Sequence, residues 1–273
     1  MRKFTSSQLS QHIRNIDIYG YTVIENCLDS KLINTLHERL EELYDQDKLY
    51  SGKPERDKFD KYIYNLQNKD KDFIDILSYE PLERILISKL NDEFYRYLPK
   101  DKPNYILSYY NARSSGEKLD LHIDSHVPSP GNYTWAMQAV FVIEEMGRAN
   151  GGTVVVPGSH LSGKYTDRSL ENLVHLEAKP GDIIIWDSRL WHGTSENKIK
   201  KSRWALIATF TRWWIKQSMD ITRSLPNNIY NQLSDKQKAL LGYCSIPPFD
   251  ENERINTKTS YESLKANVED YFK

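Results

Sequence analysis

The 273-residue sequence predicts a mainly β fold, a barrel or sandwich flanked by helices at both ends. Three observations predict it. Between residues 105 and 212, short runs rich in Val, Ile, Tyr, Trp and Thr alternate with Gly, Pro, Asn and Asp turns. Outside that stretch, apolar residues recur at helical spacing instead. A composition of 39% apolar and 12% aromatic residues, with no internal repeat, is ample for one packed core. The chain therefore reads as a single domain over 1–273, with a helical N-terminal region over 1–100, a β core over 105–212 and a helical C-terminal region over 226–273.

Each element follows from its residues. Residues 5–15 read as a short helix, and Tyr19 to Ile24 as an aromatic and β-branched strand. Asp29 or Ser30 can cap a second helix carrying Leu32, Leu36, Leu40 and Leu43 on one stripe. From Tyr44 to Lys71 charged and polar residues dominate, and Gly52 and Pro54 break any long element, which predicts a mobile loop or lid over 44–71. Residues 71–98 read as helical. The expected strands are Tyr105 to Asn111, Leu119 to Ile123, Trp135 to Ile143, Gly152 to Val156, His175 to Ala178, Asp182 to Trp186 and Trp204 to Thr211. Pro180-Gly181-Asp182 is the turn that launches Ile183-Ile184-Ile185-Trp186. After Pro226 the pattern returns to helix: Ser234 with Gln237 forms a capping-box pair, and Tyr261, Leu264, Val268 and Tyr271 make a last apolar stripe.

Charge excludes some partners. The 37 basic and 38 acidic residues nearly cancel, so no global field recruits nucleic acid or an anionic membrane. Cys27 and Cys244 stand far apart, which argues against a disulfide framework and suits a reducing compartment. The opening Met-Arg-Lys-Phe-Thr-Ser-Ser lacks the apolar stretch of a signal peptide, and no window approaches the roughly 18 to 20 apolar residues of a membrane span. A cytoplasmic protein with a small-molecule substrate is the expectation, its oligomeric state open.

The chemistry concentrates in His122 and Asp124, answered by His192 and, eleven residues further on, by Arg203. In a strand, His122 and Asp124 project to the same side because side chains alternate with a period of two. One strand can thus supply two neighbouring ligands, and His192, beyond the Ile183 to Asp187 run, a third. Two imidazoles and one carboxylate occupy one face of an octahedral Fe(II) ion and leave the opposite face open. Any one such histidine taken alone is more often a hydrogen-bonded core or surface residue; the combination in this order on expected strands is what points to iron. Arg203 shares a strand face with Ala205, Ile207 and Thr209, so its guanidinium lies against a small apolar wall, where a carboxylate can pair with it in bidentate fashion. A salt bridge to a protein carboxylate is the alternative role.

Two other readings fit some of these residues. His122 and His126 stand four apart, as in a helical zinc-hydrolase pair, but Ile123 occupies the place of the required Glu and Pro128-Ser129-Pro130-Gly131 follows at once. His126 then belongs to the mouth of the site or to a surface turn. A non-catalytic binding protein that senses 2-oxoglutarate or another metabolite is a further alternative, disfavoured by retention of all three ligands and Arg203.

At these residues the chain resembles the phytanoyl-CoA dioxygenase-like family of Fe(II)- and 2-oxoglutarate-dependent oxygenases. The matching segments are Gly20-Tyr21-Thr22-Val23-Ile24, His122-Ile123-Asp124-Ser125, the run from Gly151-Gly152-Thr153 to Pro157-Gly158-Ser159-His160, and His192-Gly193-Thr194-Ser195-Glu196-Asn197 followed by Arg203. The resemblance implies a double-stranded β-helix, or jelly roll, with a cupin-like core, iron held by His122, Asp124 and His192, and O₂ and 2-oxoglutarate as co-substrates. It further implies that Arg203 binds the distal carboxylate of 2-oxoglutarate, assisted by Thr194, and that Gln138 touches the co-substrate. Ser159 and His160 would serve their turn. Halogenating relatives replace the carboxylate ligand with a small residue, and Asp124 is retained here, so hydroxylation is the expected outcome. The family does not fix the substrate, and an acyl-CoA remains an alternative to a small polar metabolite. Arg113, Lys118 and the Lys198 to Lys201 run could engage an anion, although solvated surface charge is their simpler reading.

Overall fold

The computed structural model describes residues 4–48, 61–95, 98, 102–114, 118–165, 172–201, 203–247 and 252. In chain order the helices are α1 (Ser6–Tyr19), α2 (Ser30–Lys48), α3 (Lys71–Asp75), α4 (Glu80–Leu90), α5 (Ile221–Ser224), α6 (Asn227–Tyr230) and α7 (Asp235–Leu240). The strands are β1 (Tyr21–Ile24), β2 (Lys61–Tyr64), β3 (Ile106–Ser114), β4 (Leu119–His122), β5 (Ala136–Val142), β6 (Thr153–Val155), β7 (Val174–His175), β8 (Ile183–Asp187), β9 (His192–Thr194) and β10 (Trp204–Thr211). Two compact units result, Met1–Tyr64 with Tyr110–Ala208, and Asn65–Tyr109 with Thr209–Lys273; β3 and β10 each run from one unit into the other.

The sheets form a jelly roll. A six-stranded sheet runs in the order β1-β8-β5-β10-β3-β2, and a four-stranded sheet in the order β4-β9-β6-β7. They meet over one core, in which Val140, Ile184, Trp186 and Ala205 of the larger sheet pack with Val155 of the smaller one. Register fixes which face looks inward. Gln138 lies opposite Trp186 and Val140 opposite Ile184, so all four share the inner face. Every residue of β5 and β8 is buried, which is why both read in sequence as unbroken apolar runs rather than alternating ones. At about 1.5–3 kcal/mol for each buried large aliphatic side chain, Ile183, Ile184 and Ile185 make β8 a main source of stability.

In the first unit, α1 starts at a Thr5–Gln8 capping box and stops at Gly20, whose φ of 84° only glycine adopts at little cost. A side chain there would also strike His160 and Leu190, both 2.7 Å from the Cβ position. α1 outruns the expected 5–15, and the strand after it starts at Tyr21 rather than Tyr19. Asp29 caps α2 by accepting from the Leu32 backbone N–H at 2.9 Å, and Ile33, Leu36, Leu40 and Leu43 form its buried stripe.

The expected lid over 44–71 is corrected in its described part: α2 continues to Lys48, Lys61–Tyr64 is a strand paired with β3, and Leu66 and Gln67 are buried. Its charged neighbours masked the Tyr62-Ile63-Tyr64 strand signal. Residues 49–60 lie outside the described residues, as does the expected stripe from Tyr261 to Tyr271. Instead of a strand over 175–178, β7 stops at His175, because Ala178 pairs with Met146 in an isolated bridge.

The second unit is mostly helical. The helical stretch expected over 71–98 is two helices, and α4 ends at Leu90, where Asn91 turns extended. Arg212 closes that end, donating to the carbonyls of Lys89, Leu90 and Asn91 at 3.0, 3.3 and 3.4 Å. Ser234 and Gln237 form the anticipated capping box at α7. Cys27 and Cys244 are both buried, and no disulfide joins them. Among the described residues no helix is long and apolar enough to cross a membrane.

Candidate metal centre

The site begins with an approach between two backbones. β4 pairs antiparallel with β9, His122 standing directly opposite His192 and Leu119 opposite Thr194, with a one-residue bulge in between. Gly193 permits the approach. A Cβ on it would lie 2.5 Å from the Leu119 carbonyl oxygen, so any larger residue would push the strands apart. The two imidazoles end with ring centres 4.3 Å apart.

Asp124 joins them, but not through strand alternation. β4 ends at His122 and Asp124 sits in the turn beyond it, where the backbone N–H groups of Asp124 and Ser125 both donate to the Ser188 carbonyl, at 2.9 and 3.0 Å. A turn pinned to the β8–β9 connection does the work expected of an extended strand.

Both imidazoles are oriented alike. Nδ1 of His122 lies 2.9 Å from the Asp120 carbonyl and Nδ1 of His192 lies 2.9 Å from the Leu190 carbonyl. A carbonyl only accepts, so each Nδ1 carries the proton and each Nε2 presents a lone pair. These Nε2 atoms face the Asp124 carboxylate at 3.6 Å from His122 and 3.3 Å from His192. The three donor atoms all lie within 4.8 Å of one another, and among the described residues no further His, Cys, Asp or Glu joins them. A neutral-imidazole and carboxylate set with open positions is the donor chemistry that suits Fe(II).

Electrostatics keep Asp124 and His192 in ligating form, while at His122 they favour the protonated ring that a metal would have to displace. Burial opposes ionisation of Asp124, but the neighbouring His192 and His122 outweigh it and hold the carboxyl below its usual range. Burial pushes the His192 imidazole down, against the pull of Asp124. His122 is half-buried, and there bonding to Asp124 and to the Asp120 carbonyl overcomes desolvation and raises its pKa.

Around the triad, the Trp186 ring packs 4.9 Å from that of His192, and Gln138 is buried beside Trp186 on the same face. Arg203 is 4% exposed, and its backbone N–H donates to Ser114 Oγ at 2.9 Å. By strand alternation its side chain shares the face of Ala205 and Ile207, both packed in the core that contains Trp186. Its Nε has no hydrogen-bond partner among the described residues, and burial, with Arg113 nearby, lowers its pKa to about 10. Thr194 lies two residues from His192, its hydroxyl accepting from the Leu119 N–H at 2.9 Å. His126 stands apart from the triad in a left-handed backbone conformation, with its carbonyl accepting from Tyr165. Ser159 Oγ accepts from the Trp191 N–H at 2.9 Å, a contact to the β8–β9 connection.

Arg113 is not a solvated surface charge: it is half-buried, its guanidinium lies 4.7 Å over the Tyr62 ring, and its Nε is a second buried donor without a partner among the described residues. The β2–β3 register that creates this stack was hidden with β2 itself. Lys118, Lys198, Lys200 and Lys201 are exposed, as expected.

Known proteins share this architecture. The chain is 31% identical over 144 residues to the dioxygenase af480 of Aspergillus fumigatus, a match covering 50% of this chain and 46% of that protein. It is 24% identical over 245 residues to an uncharacterized protein, Rv1501, of Mycobacterium tuberculosis, covering 88% of this chain and 89% of that one. In fold it is similar to HygX from Streptomyces hygroscopicus, solved with nickel and 2-oxoglutarate bound (TM-score 0.59, 17% identity, 79% of this chain and 90% of that chain). It is also similar to the epimerase SnoN from nogalamycin biosynthesis (TM-score 0.58, 14% identity, 76% and 84%). The family model for phytanoyl-CoA dioxygenase (PhyH) matches residues 16–205, the span that includes every donor and Arg203, and the chain belongs to that oxygenase family.

Proposed function

We propose that this dioxygenase uses Fe(II) and 2-oxoglutarate to hydroxylate an unactivated C–H bond of a small polar metabolite or biosynthetic intermediate, releasing succinate and CO₂. His122, Asp124 and His192 hold the metal. The single observation that carries the reading is the convergence of two Nε2 lone pairs and one carboxylate within 4.8 Å, with no fourth protein donor among the described residues. The 2-oxoglutarate in HygX and the dioxygenase activity named for af480 support the choice of chemistry.

Bound iron supplies the activation of O₂, which no amino-acid side chain performs. The chain's own residues place and shield. Nδ1 bonding to two carbonyls stops either imidazole from turning its lone pair away. Arg203, buried with an unsatisfied Nε, is poised for the far carboxylate of 2-oxoglutarate, because a guanidinium out of water gains most from a bidentate anion. Gln138 and Thr194 flank that co-substrate from β5 and β9. Trp186 covers one side of His192 and keeps water from it. Tyr133 and Trp135, exposed on the loop that leads from Asp124 to β5, offer ring faces to the substrate.

The test is anaerobic purification, addition of Fe(II), ascorbate and 2-oxoglutarate, then exposure to air with measurement of succinate. Slow uncoupled formation of succinate, stimulated by the right metabolite in a screen, is the expected result. Tight binding with the co-substrate left intact would instead make the protein a sensor of 2-oxoglutarate.

A further inference from the structure

We propose that the Asp187–Arg189 ion pair is a positioning brace for the metal ligands, fixing the β8–β9 turn whose carbonyls aim Asp124 and His192. The inference rests on the reading that those residues, with His122, hold the metal.

The pair is buried and saturated. Both side chains are 2% exposed, and the guanidinium grips the carboxylate in bidentate fashion, Nε to Oδ1 at 2.9 Å and Nη2 to Oδ2 at 2.7 Å. Asp187 also accepts from the Arg189 backbone N–H at 3.0 Å and from Thr134 Oγ1 at 2.9 Å. An ion pair so deeply buried is a poor means of gaining stability, since apolar residues of the same volume commonly serve as well. What it supplies is geometry, and here the geometry has a target.

Between these two side chains the backbone is locked. Asp187 N–H donates to Gly20 O at 2.9 Å, Ser188 N–H to Ala136 O at 3.0 Å, and Leu190 N–H to Asp187 O at 2.8 Å. The turn then turns two carbonyls onto the metal centre. Ser188 O takes the backbone N–H groups of Asp124 and Ser125, and Leu190 O takes His192 Nδ1 at 2.9 Å. Two of the three donors are thus aimed by consecutive parts of one turn. Arg189 extends the hold: its Nη1 donates to Ser129 O at 3.2 Å and Gly131 O at 2.8 Å, in the loop that follows Asp124. The segment bearing Asp124 is fixed both at the donor and further downstream, at Ser129 and Gly131.

The experiment measures Co(II) affinity and the visible Co(II) spectrum of metal-free protein, together with its thermal midpoint. Asp187→Leu combined with Arg189→Met removes both charges and strands neither. Arg189→Lys keeps the charge and loses the fork. The brace predicts Co(II) affinity about 10- to 100-fold weaker in the double variant, an altered ligand-field band, and a thermal midpoint close to wild type. Arg189→Lys should lose affinity severalfold. Wild-type affinity and spectrum in either variant would overturn the proposal, as would a loss of affinity that only tracks a loss of stability; if the double variant does not fold, Arg189→Lys decides alone. His122→Ala separates the two levels. Undiminished Co(II) binding in that variant would overturn the metal centre itself, whereas lost binding there with full binding in the brace variants would overturn the brace alone.

Discussion

Strands β5 and β8 sit inside the six-stranded sheet and bury every side chain; β4, at the edge of the four-stranded sheet, ends on the half-exposed His122. The first pair is held by apolar area, a non-directional force that tolerates approximate fit. β4 and its partner β9 are held by direction: a glycine that lets backbones touch, a bulge, and carbonyls that aim imidazoles. Stability and chemistry are therefore carried by different forces a few residues apart, and each can be damaged without the other.

The sharpest way to separate them is His192→Ala, which should cut metal-dependent succinate formation by roughly a hundredfold or more while the metal-free thermal midpoint moves little. Steady activity in that variant would end the ligand assignment. Ile185→Ala should do the reverse. With its side chain 0% exposed on β8, its loss should cost about 2–5 kcal/mol in chemical denaturation, yet leave the Co(II) affinity of the folded fraction unchanged. Gly193→Ala should blur the comparison. Its Cβ meets the Leu119 carbonyl, so about 1–3 kcal/mol of strain and a tenfold or greater loss of metal affinity should appear together. Arg203→Ala should raise the 2-oxoglutarate requirement about tenfold, with metal affinity intact, and Arg203→Lys should restore little because an ammonium lacks the fork. Should the requirement stay constant, another base must hold the co-substrate; Arg212 is committed to three carbonyls at the end of α4. Thr194→Val should be mildest, about 1 kcal/mol from the lost bond to Leu119 N–H, read as a small shift in thermal midpoint.

Much of this was legible in the sequence wherever residue type alone carries the message. Imidazole, carboxylate and guanidinium have few substitutes, so His122, Asp124, His192 and Arg203 stood out, and β10 appeared at its full Trp204–Thr211 extent because apolar residues and threonine fill it without a charge or a turn residue. Roles that depend on backbone geometry were illegible. Asp124 was placed on a strand although a turn carries it, since nothing local announces that Ser188 O waits across the chain. β2 vanished among charged neighbours. Asp187 and Arg189 resemble surface charges until burial brings them together.

The bulge in β4 carries a consequence for how this chain can vary. Three steps along β4, from Leu119 to His122, match two steps along β9, from Thr194 to His192. Deleting either Asp120 or Leu121 would even the count and remove the bulge, with the local bend and the carbonyl spacing that aim the His122 imidazole, while a conservative replacement at those same places would leave its aim intact. The segment is thus constrained in length far more tightly than in spelling.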